Sequence, residues 1–315
     1  MSSAVRARAQ FGAETDDAGR FVRQVSRFRE SVTADGSSGF AAVPGRYHLY
    51  VSLACPWAHR TIIVRRLKGL EDVVSMSVVD PVRDERGWVF GQGPGHGPDP
   101  VNGFAFLSEA YRASDPSFSG RVTVPVLWDR ETDRIVNNES AEILRMLNAE
   151  FDEWGDDSVD LYPAALRAEI DEVNDGIYRD VNDGVYRAGF ATTQQAYEDA
   201  FDALFARLDG LDRRLRERRY LVGERPTEAD WRLFTTLIRF DAVYVGHFKC
   251  NLRRIVDYRA LWPYLRELYQ VPGVAETVDF DHIKRHYYLT HDSINPTRIV
   301  PKGPALELSA PHGRG

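Results

Sequence analysis

The strongest constraint on this chain is a change of rhythm near Tyr162. Beyond it, apolar residues recur at spacings of three and four, first Ile170, Val173, Ile177, Val181 and Val185, then Tyr197, Phe201, Leu204, Leu208, Leu211 and Leu215. That period belongs to amphipathic helices, so the second half is expected to be an all-α bundle. Within it Thr227 is followed three residues later by Asp230, a capping-box spacing that marks a buried helix start. Before Tyr162 the elements alternate. YHLYVS reads as a strand, PWAHRTIIVRRLKGL as a helix ending near Gly69, and VVSMSVVD as a second strand. GQGPGHGPDPVNG is too rich in Gly and Pro for regular structure and is expected to be a long loop. VTVPVLWD and DRIVNN then read as a hairpin around DRETD, and SAEILRMLNAEF as a helix. The expected order over about 46–151 is β-α-β, loop, β-β-α. The chain therefore divides into an extension over 1–45, with one short helix around Arg20 to Glu30, an α/β domain over 46–155, an all-α domain over 160–290 and a tail over 291–315.

Several function classes fall away on composition. A chain of 315 residues suits two domains of ordinary size. Its mean hydropathy is −0.39, and no apolar run approaches the roughly 20 residues of a membrane helix, so no membrane association is expected. The opening MSSAVRARAQFGAETDDAG has basic residues but no apolar stretch behind them, which argues against a secretory signal and for the cytoplasm. A net charge of −7, with arginines scattered among acids, opposes nucleic-acid binding. Two cysteines are too few for a disulfide framework or a structural zinc site. The glycine-rich run lacks the GxGxxG spacing, so no nucleotide site is expected. His59, four residues after Cys55, lacks further ligands for a metal and is expected to cap or solvate its helix.

The chemistry is expected at the junction SLACPWAHRT. Cys55 stands where the first strand hands over to a helix, directly before Pro56. Pro56 suits the first helical turn, because its missing N–H would have had no partner there. A sulfur at that position lies near unpaired amides and the positive end of the helix dipole, which favour thiolate. Three residues on stands Ala58 rather than a second cysteine, so an external thiol must resolve any mixed disulfide. Cys250 lacks such a setting and is read as a structural thiol.

The stretches CPWAHRT, GRVTVPVLWD, NNESAEI, NDGVYRAGF, RFDAVYVGHFKCN and INPTRIVPKGP, in that order, resemble the glutathionyl-hydroquinone reductases, the Xi class of the glutathione transferase superfamily. The similarity runs from about Tyr47 to Pro304. It implies the glutathione transferase fold: an α/β thioredoxin-like domain followed by an all-α helical bundle domain. It also implies an enzyme that removes glutathione from glutathionyl-hydroquinones, with glutathione as cosubstrate and a homodimeric state. Cys55 would be the nucleophile. Tyr186 would donate or accept the proton that makes the ring carbon–sulfur bond cleavable, with Tyr244 and Tyr287 completing the site and Tyr288 competing with Tyr287 for its place. Val124 before Pro125 resembles the strand edge that pairs with the cysteinyl part of a tripeptide. Glu139 and Ser140 would take the γ-glutamyl end at a helix start, Arg121 a carboxylate, and Trp88 would close the pocket from the loop side. Another low-molecular-weight thiol would use the same positions. Two rival functions share the cysteine: an Omega-like thiol transferase or dehydroascorbate reductase without the tyrosine set, and a non-catalytic binding module with an unreactive thiol.

Overall fold

A computed structural model describes residues 14–314; the reading of the first 13 residues as free of a secretory signal lies outside them. Four strands form one sheet in the order β2-β1-β3-β4, with β1 (Tyr47–Val51) parallel to β2 (Ser75–Val78) and antiparallel to β3 (Val126–Asp129), which pairs antiparallel with β4 (Arg134–Asn137). Every residue of β1 is buried, as expected of a central strand covered on both faces. Helix α1 (Pro56–Leu67) and helix α3 (Ser140–Ala149) pack together, and their buried side chains share one core with those of β1. The chain thus folds as a thioredoxin-like domain followed by a helical one.

Two local expectations are corrected. A short helix α2 (Leu107–Ser114) follows the glycine-rich loop, so the first domain runs β-α-β-α-β-β-α. Its start is fixed by Glu109, whose carboxylate accepts from the Ala105 and Phe106 amides at 3.0 and 2.8 Å. Leu107, Ala110 and Tyr111 face inward. Conversely, no helix forms around Arg20 to Glu30, where the chain runs extended along the domain. Its amides bond outward instead: Glu30 N–H to Val136 O at 3.1 Å and Phe28 N–H to Asn138 Oδ1 at 3.0 Å.

The helical half comprises α4 (Arg167–Ile177), α5 (Gly184–Gly189), α6 (Gln194–Glu217), α7 (Glu228–Arg239), α8 (Leu261–Tyr269) and α9 (Phe280–Thr290). α4 passes into a π-helical turn (Tyr178–Asn182) just before α5, and α7 ends in another (Phe240–Tyr244). Such turns re-aim side chains and recur beside functional sites. α7 begins at the Thr227–Asp230 capping box. The buried Asp230 carboxylate accepts from Thr227 N–H at 2.7 Å, Leu221 N–H at 2.9 Å and Tyr264 O–H at 2.8 Å, which leaves this helix start fully bonded inside the core.

Candidate active site

Cys55 is the N-cap of α1, with extended backbone angles, and Pro56 is the first helical residue. The turn before it closes through Cys55 N–H to Ser52 O at 3.1 Å. Its half-buried thiol donates to Val124 O at 3.5 Å, across the cis Val124–Pro125 peptide. Two adjoining clefts meet here. The first is lined by Cys55, Trp57, Arg83, Trp88, Arg121, Tyr186, His286, Tyr287 and His291. The second is lined by Arg121, Thr123, Val124, Asn138, Glu139, Ser140 and Tyr178. Arg23 and Trp57 line both, and the extended segment Arg23–Ser26 forms one wall of the second.

Aromatic surface dominates the first cleft. Tyr287 Oη lies 2.5 Å from Tyr186 Oη and 3.0 Å from Tyr244 Oη, so three phenols from α5, the π turn after α7 and α9 share one network. Tyr288 points away, donating to Ala242 O at 3.3 Å, and Tyr287 is the member of that pair at the site. Burial pushes all three phenols above the usual tyrosine range; for Tyr186 the neighbouring Cys55 charge adds to it, and for Tyr287 the Tyr186 charge does. They therefore stay protonated and act as donors. Three hydroxyl protons serve two O···O contacts, which leaves one to donate into the cleft.

Charge near the sulfur is positive although the chain as a whole is acidic. Arg83 and Arg121 both stand within electrostatic reach of Cys55. Burial, and then repulsion from Arg121, brings Arg83 down to about 10. Arg121 also pairs with Glu14 of the extension at 2.8 Å. Arg23 lies over the rings of Trp57 and Tyr186, 4.8 Å from each centroid, and pairs with Asp183 at 2.6 Å. Trp88 stacks on His286 at 5.0 Å, and its buried indole N–H has no hydrogen-bond partner among the described residues.

At the second cleft the helix start differs in detail from the expectation. The N-cap of α3 is Glu139, whose carboxylate accepts from Ala141 N–H at 3.3 Å and Ser26 O–H at 2.9 Å. Ser140 is the first helical residue; its buried hydroxyl accepts from Arg60 at 3.4 Å. His59 is neither a cap nor solvated. It is fully buried, with Nε2 2.8 Å from Thr277 Oγ1 and Nδ1 accepting from Arg239 at 3.0 Å. Cys250 is fully buried, and burial pushes its thiol far up, which suits its structural reading.

All nine expected site residues thus fall on the two clefts or, for Tyr244, directly behind the first. Sequence reasoning missed Phe21, Arg23, Arg83, His286 and His291. For the histidines a signal existed in RHYYLTH, where they flank Tyr287 by one residue and by four and so share its helix end.

The family profiles "Glutathione S-transferase, N-terminal domain" and "Glutathione S-transferase, C-terminal domain" match residues 54–150 and 194–270. The chain is 54% identical over 303 residues, 94% of its own length and 92% of the other's, to glutathionyl-hydroquinone reductase YqjG of Escherichia coli (strain K12). It is 53% identical to glutathionyl-hydroquinone reductase PcpF of Sphingobium chlorophenolicum, covering 92% of this chain and 91% of that one. The glutathione-bound structure of YqjG superposes with a TM-score of 0.90, covering 91% of this chain and 96% of that chain.

Proposed function

The chain belongs to the glutathionyl-hydroquinone reductases, the Xi class of the glutathione transferases, and on that premise we propose how its residues divide the reaction. The enzyme uses glutathione to remove the glutathionyl group from glutathionylated hydroquinones. In the thiol-binding half, 46–155, glutathione lies in the second cleft with its sulfur toward Cys55. Val124 pairs with its cysteinyl backbone, Glu139 and Ser140 hold the γ-glutamyl end, and Arg121 takes a carboxylate. The unpartnered Trp88 indole N–H fits a ligand oxygen at the border with the first cleft.

The hydroquinone ring occupies the aromatic first cleft, against phenols from the helical half, 160–290. Tyr186, backed by Tyr287 and Tyr244, protonates the ring carbon that bears sulfur while the conjugated ring hydroxyl gives up its proton to solvent, giving the keto form. Cys55, placed as a thiolate nucleophile at the helix start beside Arg83 and Arg121, attacks the thioether sulfur. The S–S bond forms as the C–S bond breaks, its electron pair returns through the ring to the carbonyl oxygen, and the resulting phenolate takes up a proton and leaves as hydroquinone. A second glutathione thiolate then attacks the mixed disulfide, releasing glutathione disulfide and Cys55.

The observation that carries this reading is the meeting of one monothiol with two phenols, Tyr186 and Tyr287, in a single cleft, backed by a third, Tyr244, directly behind it. A simple thiol transferase has no carbon to protonate and no use for them. Two free cysteines fit a reducing cytoplasm, and homodimerisation is checked by light scattering against the 35.7 kDa chain mass. The test of the reaction is steady-state turnover of glutathionyl-menadiol by the wild type and by Cys55→Ser, with glutathione and other low-molecular-weight thiols compared. Cys55→Ser is expected to lose turnover by about a thousandfold or more. Equal turnover by both proteins would remove the mechanism, and full activity with a different thiol alone would reassign the second cleft.

A further inference from the structure

One buried cation has no part in the reaction as described. Arg239, the last residue of α7, is fully buried, and among the described residues it forms no ion pair with a carboxylate. Four of its five N–H groups are spent on specific partners. Nε donates to Ala54 O at 2.9 Å and Nη2 to Leu53 O at 2.9 Å, while Nη1 donates to His59 Nδ1 at 3.0 Å and to Thr235 O at 2.8 Å. Leu53 and Ala54 are the two residues before Cys55. His59 is one helical turn after it.

Arginine only donates, so His59 Nδ1 must accept; its Nε2–H then donates to Thr277 Oγ1, whose hydroxyl donates to Val274 O at 2.6 Å. The chain Val274–Thr277–His59–Arg239 therefore ends on the turn that presents the thiol. On its other side Arg239 lies within electrostatic reach of two of the phenols. Its charge bears on Tyr244 and Tyr287, opposing part of what burial and Tyr186 do to them. The cations within electrostatic reach of Cys55 itself are Arg83 and Arg121, with the neutral Tyr186 phenol beside them. Burying a cation without a counter-ion is costly, and neutral amides could tie the same carbonyls without that cost. The arrangement makes sense when the charge itself is used.

We propose that Arg239 is the positioning residue of the reaction: it pins the turn that presents Cys55 and sets fixed positive charge behind the Tyr244–Tyr287 phenol pair, so that nucleophile and proton donor keep one spacing as two different substrates pass. This rests on Cys55 being the nucleophile. Because Arg239 reaches from the helical half into the thiol-binding half, it also ties the spacing to their mutual docking.

The test uses Arg239→Met, Arg239→Lys and His59→Leu, each in a Cys250→Ser background so that Cys55 alone reports. Three readouts are taken: the pH profile of iodoacetamide alkylation, and kcat and KM for glutathionyl-menadiol. Arg239→Met is expected to lower kcat about tenfold or more, with KM changed less than about threefold, and to change the alkylation rate across the profile about threefold or more as the turn that presents the thiol loosens. Arg239→Lys restores neither kcat nor the alkylation rate, because one ammonium does not reproduce the planar fork that ties the Leu53 and Ala54 carbonyls. His59→Leu shows a smaller loss of kcat in the same direction. A folded Arg239→Met protein with the wild-type alkylation profile and kcat would overturn the proposal. If Arg239→Met does not fold, wild-type kcat in both remaining variants would do so. Alkylation needs no hydroquinone, so failure here is distinct from failure of the reductase reading, which Cys55→Ser turnover decides.

Discussion

Tyr186 separates two properties that the cysteine alone would merge. Removing its hydroxyl takes the outward proton from the network without touching the turn that carries Cys55, so Tyr186→Phe is expected to slow hydroquinone release about a hundredfold while Cys55 alkylates at the wild-type rate. Single-turnover release measured beside iodoacetamide kinetics checks this, and parallel loss of both would refute the division of roles. Tyr287→Phe breaks both O···O contacts and is expected to cost nearly as much. Cys55 was legible in the sequence because its chemistry is local: a proline after it, a strand before it and no second cysteine three residues on. The tyrosines needed the family resemblance, since nothing in their own helical periods says which residue 43 or 101 positions away meets each hydroxyl. Arg23, Arg83 and Arg239 were illegible for the same reason. A charged residue in an extended or helical stretch reads as solvated until tertiary packing buries it.

Among the elements, α5 is set by a contact with little tolerance. Gly189 lies so close to the Phe248 ring that an added Cβ would fall well inside van der Waals contact. Gly189→Ala must therefore push α5, and with it Tyr186, away from the Tyr244–Tyr287 pair. The expected result is a fall in kcat of about tenfold or more with Cys55 alkylation unchanged, read by the same two assays; an unchanged kcat would show that the helix has room. At the other end of the bundle, Asp230→Ala strands the Thr227 and Leu221 amides and the Tyr264 hydroxyl, and is expected to cost about 2–4 kcal/mol in chemical denaturation. That helix start was legible because a capping box is a short-range signal. α2 was not, being eight residues long and preceded by a glycine- and proline-rich run. Around Arg20 to Glu30 the spacing of Phe21, Val25 and Phe28 imitates a helix, yet Val25 is 76% exposed and the amides bond to the neighbouring sheet edge and α3 start. Extended pairing to a distant strand leaves no mark in a local window.

At the scale of the whole molecule, buried neutral histidines link stability to pH. Burial brings His48 and His247 down to about 4 and His286 to about 3, and holds His59 and His291 well below the ordinary value. In the unfolded chain each takes its proton near pH 6.5. Between those limits the unfolded state binds more protons, so stability is complete above about pH 6.5 and is lost as pH falls toward 4, by up to about 1.4 kcal/mol per pH unit for each histidine. Thermal unfolding is expected to shift clearly downward from pH 7.5 to pH 5 at fixed ionic strength, before most carboxylates titrate; a flat Tm over that range would contradict it. The fold class was legible at this scale because periodicity reports on elements, whereas the way the extension lines the clefts was not. That last feature bears on how the protein is handled. Cut at Tyr47, the polypeptide would keep every residue that a motif comparison would flag, yet it would lose Phe21 and Arg23 from the wall beside the thiol and the whole Arg23–Ser26 edge of the neighbouring trench, so that a trimmed preparation would offer its reagents a wider and less selective mouth than the intact chain does.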